Sequence, residues 1–509
     1  MNAIASSTNT ATSTFDNEAV RTRRLRGFVN VIVRGLLPLV LAVGLAGCGP
    51  AKNPDDVRSP TAQKWFDRAR TSFEQIDMDD AQESINEALR LAPNDAEIRL
   101  LAANLALAKL DYDAVVLLTE GTEDSKALAL RGRAQWYAGK IAEAGKTLDA
   151  LLRDPDVHDP WARAVSKLAN RGTGRRPFHT SGNIVAAIEM PPVRGSAMIV
   201  PVEIDGEQGL ALLSTGNAEV VLDKTSRKEP SWVSLRFDGR VEFQDVPALT
   251  LDLSGLSRTL GAPIKAMLGV SFFRHANVTF DFLGKQFVVR QFSPPRPPAC
   301  TELPVYYIRG GGMVIRSALN TDLSPAQLLL DSSQMYPLVL DANGWRKAGV
   351  DPATLVAFEG DATSKRGLVP LIRLGGFDIP QVGAVMNGEV EVFEKALGLD
   401  LDGIVGAGLL GAMRVTFGDS GRVLWLEEDF IDELNALRME QEAKAAAQPP
   451  AQPPAQTPAR PPSQQPSSTP PATPPKPPAS STPPTPPTSS TPTPTPTRTN
   501  PAPAPKPSR

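Results

Sequence analysis

Two stretches of the sequence decide the expected fold: Leu212-Leu213-Ser214-Thr215-Gly216-Asn217 and Leu329-Leu330-Asp331-Ser332-Ser333-Gln334. In each stretch an apolar run typical of a buried strand ends in small and hydroxyl-bearing residues typical of a tight turn. A second apolar run follows each turn, Val220-Val221-Leu222 in the first case and Leu338-Val339-Leu340 in the second. The same strand-turn-strand pattern therefore occurs twice in the chain.

The region around these stretches, residues 183–428, repeats more than the turn. It is rich in Val, Leu, Ile and Phe in short runs separated by Gly, which predicts mostly β-strands. Each copy also has a later apolar segment that ends in glycine, Met267-Leu268-Gly269 in the first and Ile404-Val405-Gly406 in the second. This order predicts a duplication, with one copy over 183–292 and the other over 303–428.

Each copy resembles one lobe of a retropepsin-like aspartic protease. In that family a strand ends in a hydrophobic-hydrophobic-Asp-Thr/Ser-Gly turn, and another strand carries Ile/Leu-hydrophobic-Gly opposite it. The resemblance covers about half of the chain. It implies a mostly β, bilobal fold in which the two turns carry the catalytic carboxylates. A plain β-sandwich without this ancestry is the alternative interpretation.

The residues at the two turns decide whether the chemistry of this family can operate. Aspartic proteases need two carboxylates that share one proton, so that one activates water while the other donates to the substrate carbonyl. The second turn supplies Asp331, but the first has Ser214 at the equivalent position. A serine hydroxyl cannot replace a carboxylate as general base, and no evident His or Lys could activate it as a nucleophile. Asp331 is the candidate catalytic residue if the protein is active, and we expect most peptidase activity to be lost.

The neighbouring turn residues have expected supporting roles. Thr215 and Ser332 carry hydroxyls that can form hydrogen bonds across the interface between the lobes. Gly216 provides the room that the turn needs, whereas Ser333 is larger than the glycine that the family has at its position. Asp331 has an alternative role as an Asx residue that caps its own turn. We do not expect a homodimer that pairs two Asp331 carboxylates, because the two lobes of one chain should pair with each other.

Residues 60–172 have the periodicity of helices, with small and aromatic residues at helical spacing. The positions that resemble a tetratricopeptide repeat (TPR) are Trp65, Ala69, Ala81, Ala88 and Pro93. The resemblance, which extends to two further units, implies an all-α stack with a groove that binds peptides or partner proteins. A helical spacer that packs on the next domain is the alternative.

The N-terminus has the layout of a secretory signal, in which an arginine cluster precedes an apolar run and small residues. Leu45-Ala46-Gly47-Cys48 resembles the lipobox of bacterial lipoproteins, in which the cysteine receives diacylglycerol. The resemblance implies a signal peptide over 1–47, lipidation of Cys48 and a linker over 48–59. The expected location is the cell envelope, on the outer membrane, facing the periplasm or the cell surface. An uncleaved anchor with an incidental cysteine is the alternative.

The C-terminal part divides into a short helix predicted over 429–446 and a tail over 447–509. The tail consists largely of Pro, Thr, Ser, Ala and Gln, with no aromatic and no acidic residue. Such a segment cannot bury enough apolar surface to offset the entropy of ordering it, so we expect it to be disordered.

Composition excludes several classes of function. A formal net charge of -3 indicates no nucleic-acid partner. Cys300 has no disulfide partner if Cys48 is acylated. The three histidines, His158, His179 and His275, lie far apart in the sequence, so we expect no metal site and no cofactor.

Three functions are compatible with these patterns. The first is an envelope lipoprotein whose inactive double lobe binds a protein or peptide. The second is an active aspartic endopeptidase, and the third is a structural envelope lipoprotein. The partner in the first case and the substrate in the second are not specified by any motif.

Overall fold

A computed structural model describes residues 58–193, 196–282, 284–322, 324–358 and 361–427. The predicted signal peptide, Cys48, the helix over 429–446 and the tail lie outside these residues and stay predictions. Within the described ranges, no helix combines the length and apolarity that crossing a membrane requires.

Seven helices make up the described chain before residue 172, and this confirms the predicted helical region. They are α1 (Pro60–Glu74), α2 (Met78–Leu91), α3 (Ala96–Ala108), α4 (Tyr112–Thr119), α5 (Ser125–Tyr137), α6 (Ile141–Leu151) and α7 (Pro160–Arg171). Six of these seven begin after a Ser or Asp whose side chain accepts a hydrogen bond from a free N–H of the first turn. Their similarity to TPRs remains a prediction.

Strands dominate the rest of the described chain. Between residues 179 and 290 these are β1 (His179–Gly182), β2 (Val185–Glu189), β3 (Ile199–Ile204), β4 (Glu207–Leu213), β5 (Val220–Asp223), β6 (Ser231–Phe237), β7 (Val241–Leu251), β8 (Ile264–Leu268), β9 (Thr279–Asp281) and β10 (Gln286–Arg290). Two helices, α8 (Ser254–Leu260) and α9 (Val270–Ala276), flank β8.

The second half of the β region repeats this arrangement. Its strands are β11 (Cys300–Pro304), β12 (Tyr306–Ile308), β13 (Gly312–Ala318), β14 (Pro325–Asp331), β15 (Leu338–Leu340), β16 (Val356–Phe358), β17 (Asp361–Leu374), β18 (Phe377–Met386), β19 (Gly403–Gly406), β20 (Arg414–Gly418) and β21 (Val423–Glu427). Its helices are α10 (Ala342–Lys347), α11 (Glu389–Leu397) and α12 (Ala407–Leu410), with short 3₁₀ turns at Pro352–Thr354 and Asp419–Gly421.

Each half folds into a sheet that closes on itself, which we call lobe 1 and lobe 2. Lobe 1 has the order β1-β7-β5-β8-β4-β3-β6, and β6 also pairs with β7. Lobe 2 has the order β12-β13-β14-β19-β15-β18-β17-β16, and β13 also pairs with β17. In both lobes the strand before the turn runs parallel to the later glycine-ended strand, β4 with β8 and β14 with β19. The predicted bilobal organisation is therefore confirmed.

A third sheet joins the lobes, with the order β11-β21-β20-β9-β10-β2. Strands of lobe 1 and lobe 2 meet at its centre, where β9 pairs with β20 and the hydroxyls of Thr279 and Thr416 are 2.8 Å apart. Buried aromatic rings pack against it: Phe272, Phe273, Phe280, Phe287 and Phe417. This shared core joins the two lobes in one compact unit.

The helical region packs on both lobes. Apolar residues of α1 to α3 share a core cluster with Val314 and Leu329 of lobe 2. Residues of α5 to α7 share another cluster with Trp232 and Leu249 of lobe 1. The helices and the lobes belong to one compact unit, so the helical region is positioned rigidly against the turns described next.

Candidate functional site

The two turns identified in the sequence meet at the interface between the lobes. Asp331 is the last residue of β14 and pairs with Gly406 of β19. Ser214 directly follows β4, and its N–H donates to the Leu268 carbonyl of β8 at 2.9 Å. Both side chains are about 2% exposed. The equivalent strands of the two closed sheets thus deliver Ser214 and Asp331 to one buried seam.

Reciprocal hydrogen bonds lock the two turns together. The Thr215 N–H donates to Ser332 Oγ at 2.9 Å, and the Ser332 N–H donates to Thr215 Oγ1 at 2.8 Å. Each hydroxyl also donates to the carbonyl of the opposite strand, Thr215 to Leu330 and Ser332 to Leu213, both at 3.0 Å. All four bonds are buried. Serine at position 332 supplies every bond that the threonine supplies at 215, so the framework of the site is intact on both sides.

The Asp331 carboxylate caps its own turn and also faces lobe 1. Its Oδ1 accepts from the Ser333 N–H at 2.9 Å and from the Ser333 hydroxyl at 2.6 Å. The backbone of Gly216, in the opposite turn, forms a further hydrogen bond to the carboxyl. Burial raises the pKa of Asp331, and the bonds from Ser333 and Gly216 oppose this rise. The Asp331 side chain therefore both caps its own turn and accepts a hydrogen bond from the turn of lobe 1.

Gly216 lies close to this carboxyl. A Cβ at position 216 would be 2.6 Å from Asp331 Oδ1, so no other residue fits without displacing Asp331. Ser333 is at the equivalent position of lobe 2, has an ordinary backbone conformation and carries a side chain without difficulty. We attribute the tolerance of a side chain at position 333, but not at 216, to the residue in the opposite turn. Gly216 lies opposite the Asp331 carboxyl, whereas Ser333 lies opposite the shorter Ser214.

The Ser214 hydroxyl has no catalytic partner of the kind that activates a nucleophile. Among the described residues, no hydrogen bond joins it to an imidazole or an amine. His158 and His179 are exposed, and the ring nitrogen of His275 contacts the Ser271 carbonyl. Ser214 therefore lacks the general base that nucleophilic catalysis requires.

The two turns differ most in what covers them. Gly269 and Gly406 identify equivalent positions, because a Cβ on Gly269 would contact the Glu219 carbonyl and one on Gly406 the Tyr336 carbonyl. Glu219 and Tyr336 are thus counterparts in the loops that follow the turns. Sequence reasoning singled out neither residue, since a single acidic or aromatic residue in a loop carries no motif.

In lobe 1, the helical region covers the counterpart position. Glu219 Oε1 accepts hydrogen bonds from Tyr137 Oη of α5 and Trp161 Nε1 of α7, both at 2.9 Å. Burial raises the pKa of Glu219, although these two donors act to lower it. The loop after Ser214 is therefore fastened to the helices by a buried carboxyl.

In lobe 2, a β-hairpin covers the counterpart position. The ring of Tyr336 lies 6.1 Å from that of Phe358, which is at the end of β16. The guanidinium of Arg366, on β17, lies 5.5 Å from the centre of the Phe358 ring. The hairpin of β16 and β17 therefore extends over the loop that follows Asp331.

A second carboxyl lies near Asp331 and was not predicted. Glu389 at the start of α11 accepts a hydrogen bond from the Gln334 side chain. Burial raises the pKa of Glu389, and the charge of Asp331 adds to this effect. Glu389 is bonded to Gln334, whereas the Asp331 carboxyl is bonded to Ser333 and Gly216, so Glu389 is not arranged as the partner carboxylate that Ser214 replaces.

Other candidate chemistry is not assembled in the described part of the chain. No group of three or more His, Cys, Asp or Glu residues there is arranged to hold a metal ion. Cys300, the cysteine within the described ranges, forms no disulfide and is partly exposed. The seam between the turns is the site that the fold organises.

Comparisons with solved structures identify similar folds. An aspartic proteinase from Irpex lacteus is 10% identical to this chain. The match includes 48% of this chain and 98% of the proteinase, with a TM-score of 0.32. Basic 7S globulin from soybean is 9% identical to this chain. The match includes 51% of this chain and 97% of the globulin, with a TM-score of 0.34. No protein-family model and no curated protein matches the sequence. Both matches cover about half of this chain at low identity and with TM-scores below 0.5.

Proposed function

We propose that this chain is a lipid-anchored envelope protein whose two lobes bind an extended peptide or protein segment without cleaving it. One observation carries the proposal. The cross-lobe bonds between Thr215 and Ser332 are complete, whereas the seam that they shape contains Asp331 opposite Ser214. A site kept in shape without its second carboxylate is suited to binding rather than to general acid–base catalysis.

The chemistry of the seam favours a peptide as the ligand. Asp331 is buried with a raised pKa, so its carboxyl can be protonated and can then donate to a peptide carbonyl as well as accept from an N–H. The hairpin of β16 and β17 adds exposed strand residues beside it, and extended peptides bind readily along such edges. The helical region, if it is a TPR stack, supplies a second binding surface.

The first experiment separates binding from cleavage. The purified chain is incubated with an unfolded protein between pH 3 and pH 7, and both bound and cleaved peptides are measured by mass spectrometry. We expect peptides to be retained without cleavage, and retention to fall in Asp331→Ala. Cleavage that is inhibited by pepstatin and lost in Asp331→Asn would overturn the non-catalytic assignment.

A gain-of-function variant provides the matched control. Ser214→Asp with Ser333→Gly rebuilds the two carboxylates and clears the space that the new aspartate needs. If the second carboxylate is what the protein lacks, this double variant cleaves peptides that the unaltered chain only binds. Ser333→Gly alone should remain inactive, because it adds room but no acid–base group.

The anchor is tested separately. Cells expressing the chain are supplied with a labelled fatty acid, and the membrane fraction is analysed for labelled protein. We expect label on the unaltered chain and none on Cys48→Ser, which should also leave the membrane fraction. Equal membrane association of both forms would contradict lipid anchoring at Cys48.

A further inference from the structure

The sheet that joins the lobes has two edge strands that the chain treats differently. In the order β11-β21-β20-β9-β10-β2, strand β11 is at one edge and β2 is at the other. An edge strand presents unpaired N–H and C=O groups, and these can pair with a further strand unless they are covered. The state of each edge therefore decides whether this sheet can be extended.

The hydrogen bonds at the two ends of β2 show which of its backbone groups point outwards. The Met190 N–H donates to the Lys285 carbonyl at 2.8 Å. The Gln291 N–H donates to the Ile184 carbonyl at 2.9 Å. Bonded and non-bonded positions alternate along an antiparallel pair, so the even-numbered residues of β2 bond to β10. Within the described residues, no strand pairs with β2 on its other side. The residues whose N–H and C=O groups point to that side are Val185, Ala187 and Glu189.

The residues along this open edge are exposed and mostly apolar. Val185 is 41% exposed, and the adjacent Ile184 is 64% exposed. Phe292, two residues beyond the partner of Val185 on β10, is 45% exposed. From Ile184 to Ile188 the strand has no charged residue and no proline. It therefore lacks the residues by which edge strands usually avoid pairing.

Strand β11 has such residues at the equivalent positions. Both edge strands pair with the five residues that end the β region of their lobe, so Glu302 is the counterpart of Ala187. Pro304, the counterpart of Glu189, has no N–H to donate. The turn after β17 also lies over this edge, because a Cβ on Gly375 would be 2.9 Å from the Glu302 carbonyl. A charge, a proline and a turn thus protect β11, whereas β2 has none of these along its centre.

A second copy of β2 would satisfy every outward-pointing group of this edge. If two β2 strands run antiparallel with Ala187 opposite Ala187, Val185 of each copy lies opposite Glu189 of the other. Every such pair exchanges two backbone hydrogen bonds. The small Ala187 side chains meet at the axis without crowding, and the two Glu189 carboxylates lie at opposite ends. This self-complementarity is the property that a two-fold interface requires.

The charges on the exposed face of the sheet are compatible with the same register. Arg290 pairs with Val185, so Glu189 of the second copy would lie in the same row as Arg290, two strands and about 10 Å away. Opposite charges in one row attract each other. An unrelated peptide would have no such matched register, so the edge fits a second copy of this chain best.

We propose that two copies of this chain associate through β2, antiparallel and centred on Ala187, so that their six-stranded sheets become one continuous sheet. The association does not involve the turns at Ser214 and Asp331, and each copy keeps its own seam. The proposal is independent of the proposed function and holds whether the lobes bind or cleave peptides.

Charge substitutions at position 187 test the proposal in the full chain, purified in detergent. Light scattering over a range of concentrations gives the mass of protein in each particle, and we expect the unaltered chain to reach twice the mass of one chain. Ala187→Lys and Ala187→Glu should each weaken association by at least about tenfold, because like charges would meet at the axis. A chain that stays monomeric at every concentration, or a dimer that withstands both substitutions, would overturn the proposal.

A mixture of the two variants tests the register. Combining Ala187→Lys with Ala187→Glu places opposite charges at the axis and should restore association, which misfolded chains could not do. Glu302→Lys, at the counterpart position of the protected edge, is the matched control and should leave association unchanged. A mixture that stays monomeric, or a control that loses association equally, would contradict pairing through β2.

Amide hydrogen exchange of the unaltered chain gives a readout that needs no substitution. At a concentration where about nine-tenths of the chains are paired, the amides of Val185, Ala187 and Glu189 should exchange about tenfold more slowly than in dilute solution. Protection that does not change with concentration would assign the edge to another segment of the same chain and overturn the proposal.

Discussion

Lobe 1 and lobe 2 share one strand order but differ at the turn and in what lies over it. Both present a hydroxyl, on Thr215 or Ser332, that bonds across the seam with nearly the same geometry. Lobe 1 has Ser214 and is covered by helices through Glu219, whereas lobe 2 has Asp331 and is covered by a hairpin through Tyr336. The hydrogen bonds that hold the two turns together are therefore independent of the carboxylate that acid–base chemistry requires, since lobe 1 keeps the bonds without the carboxylate.

The largest expected effect is at the feature that the lobes share. Thr215→Val removes a hydroxyl that donates to Leu330 and accepts from Ser332, and it leaves both buried partners unsatisfied. We expect the free energy of unfolding to fall by about 3 kcal/mol, measured by urea denaturation. Thr215→Ser, which keeps the hydroxyl as Ser332 does, should lose much less. Equal losses in the two variants would show that the methyl group, which Thr215→Ser removes, contributes as much as the hydrogen bonds, and would contradict the dominant role given to the hydroxyl.

The second effect tests the asymmetry of the turns. Gly216→Ala places a Cβ against the Asp331 carboxyl and should cost about 2 kcal/mol of unfolding free energy. In an Asp331→Ser background, residue 216 would face a serine, as Ser333 faces Ser214 in the unaltered chain. Gly216→Ala should then be nearly neutral. A double-mutant cycle measures this coupling, with about 1 kcal/mol or more expected. Additive losses would contradict the explanation given for Ser333.

The third effect concerns pH and the helical cover of lobe 1. Burial raises the pKa of Glu219 above its ordinary value of 4.5, so the folded chain holds this proton more tightly than the unfolded chain. Its contribution to stability is complete below pH 4.5 and is lost as the pH rises through the folded pKa. Glu219→Gln can still accept from Tyr137 and Trp161 but does not ionise, so unfolding free energy should decline less with rising pH. A parallel pH dependence in both proteins, measured by denaturation between pH 4 and 8, would exclude Glu219 as the source.

The smallest effect is expected at the cover of lobe 2. Arg366 lies over the Phe358 ring at an exposed position, where a cation–π contact contributes about 0.5 kcal/mol. Arg366→Ala should therefore lower the unfolding free energy by no more than this, and Arg366→Lys by less. A loss of several kcal/mol would mean that the hairpin is as firmly fastened as the helical cover of lobe 1.

The sequence determined the features that depend on local pattern. Apolar runs that end in small polar residues specify strands followed by turns, and their repetition indicated a duplication before any contact was known. The same runs placed Ser214 and Asp331 at equivalent positions, because each residue comes directly after a buried strand. The hydroxyls of Thr215 and Ser332 were recognisable as bonding groups for the same reason. The expectation that the two turns face each other came from the resemblance of these residues to retropepsin-like lobes.

Only the tertiary structure decided which groups meet. The bonds between Thr215 and Ser332 join residues 117 positions apart, and Tyr137 reaches Glu219 across 82 positions. Such contacts arise when closed sheets and packed helices bring distant segments together, and no local periodicity encodes that proximity. The fastening of Glu219, the location of Glu389 near Asp331 and the open edge of β2 were therefore invisible in the sequence. Whether a side chain is buried, paired or covered depends on its neighbours in space, and these are set by the packing of the whole chain.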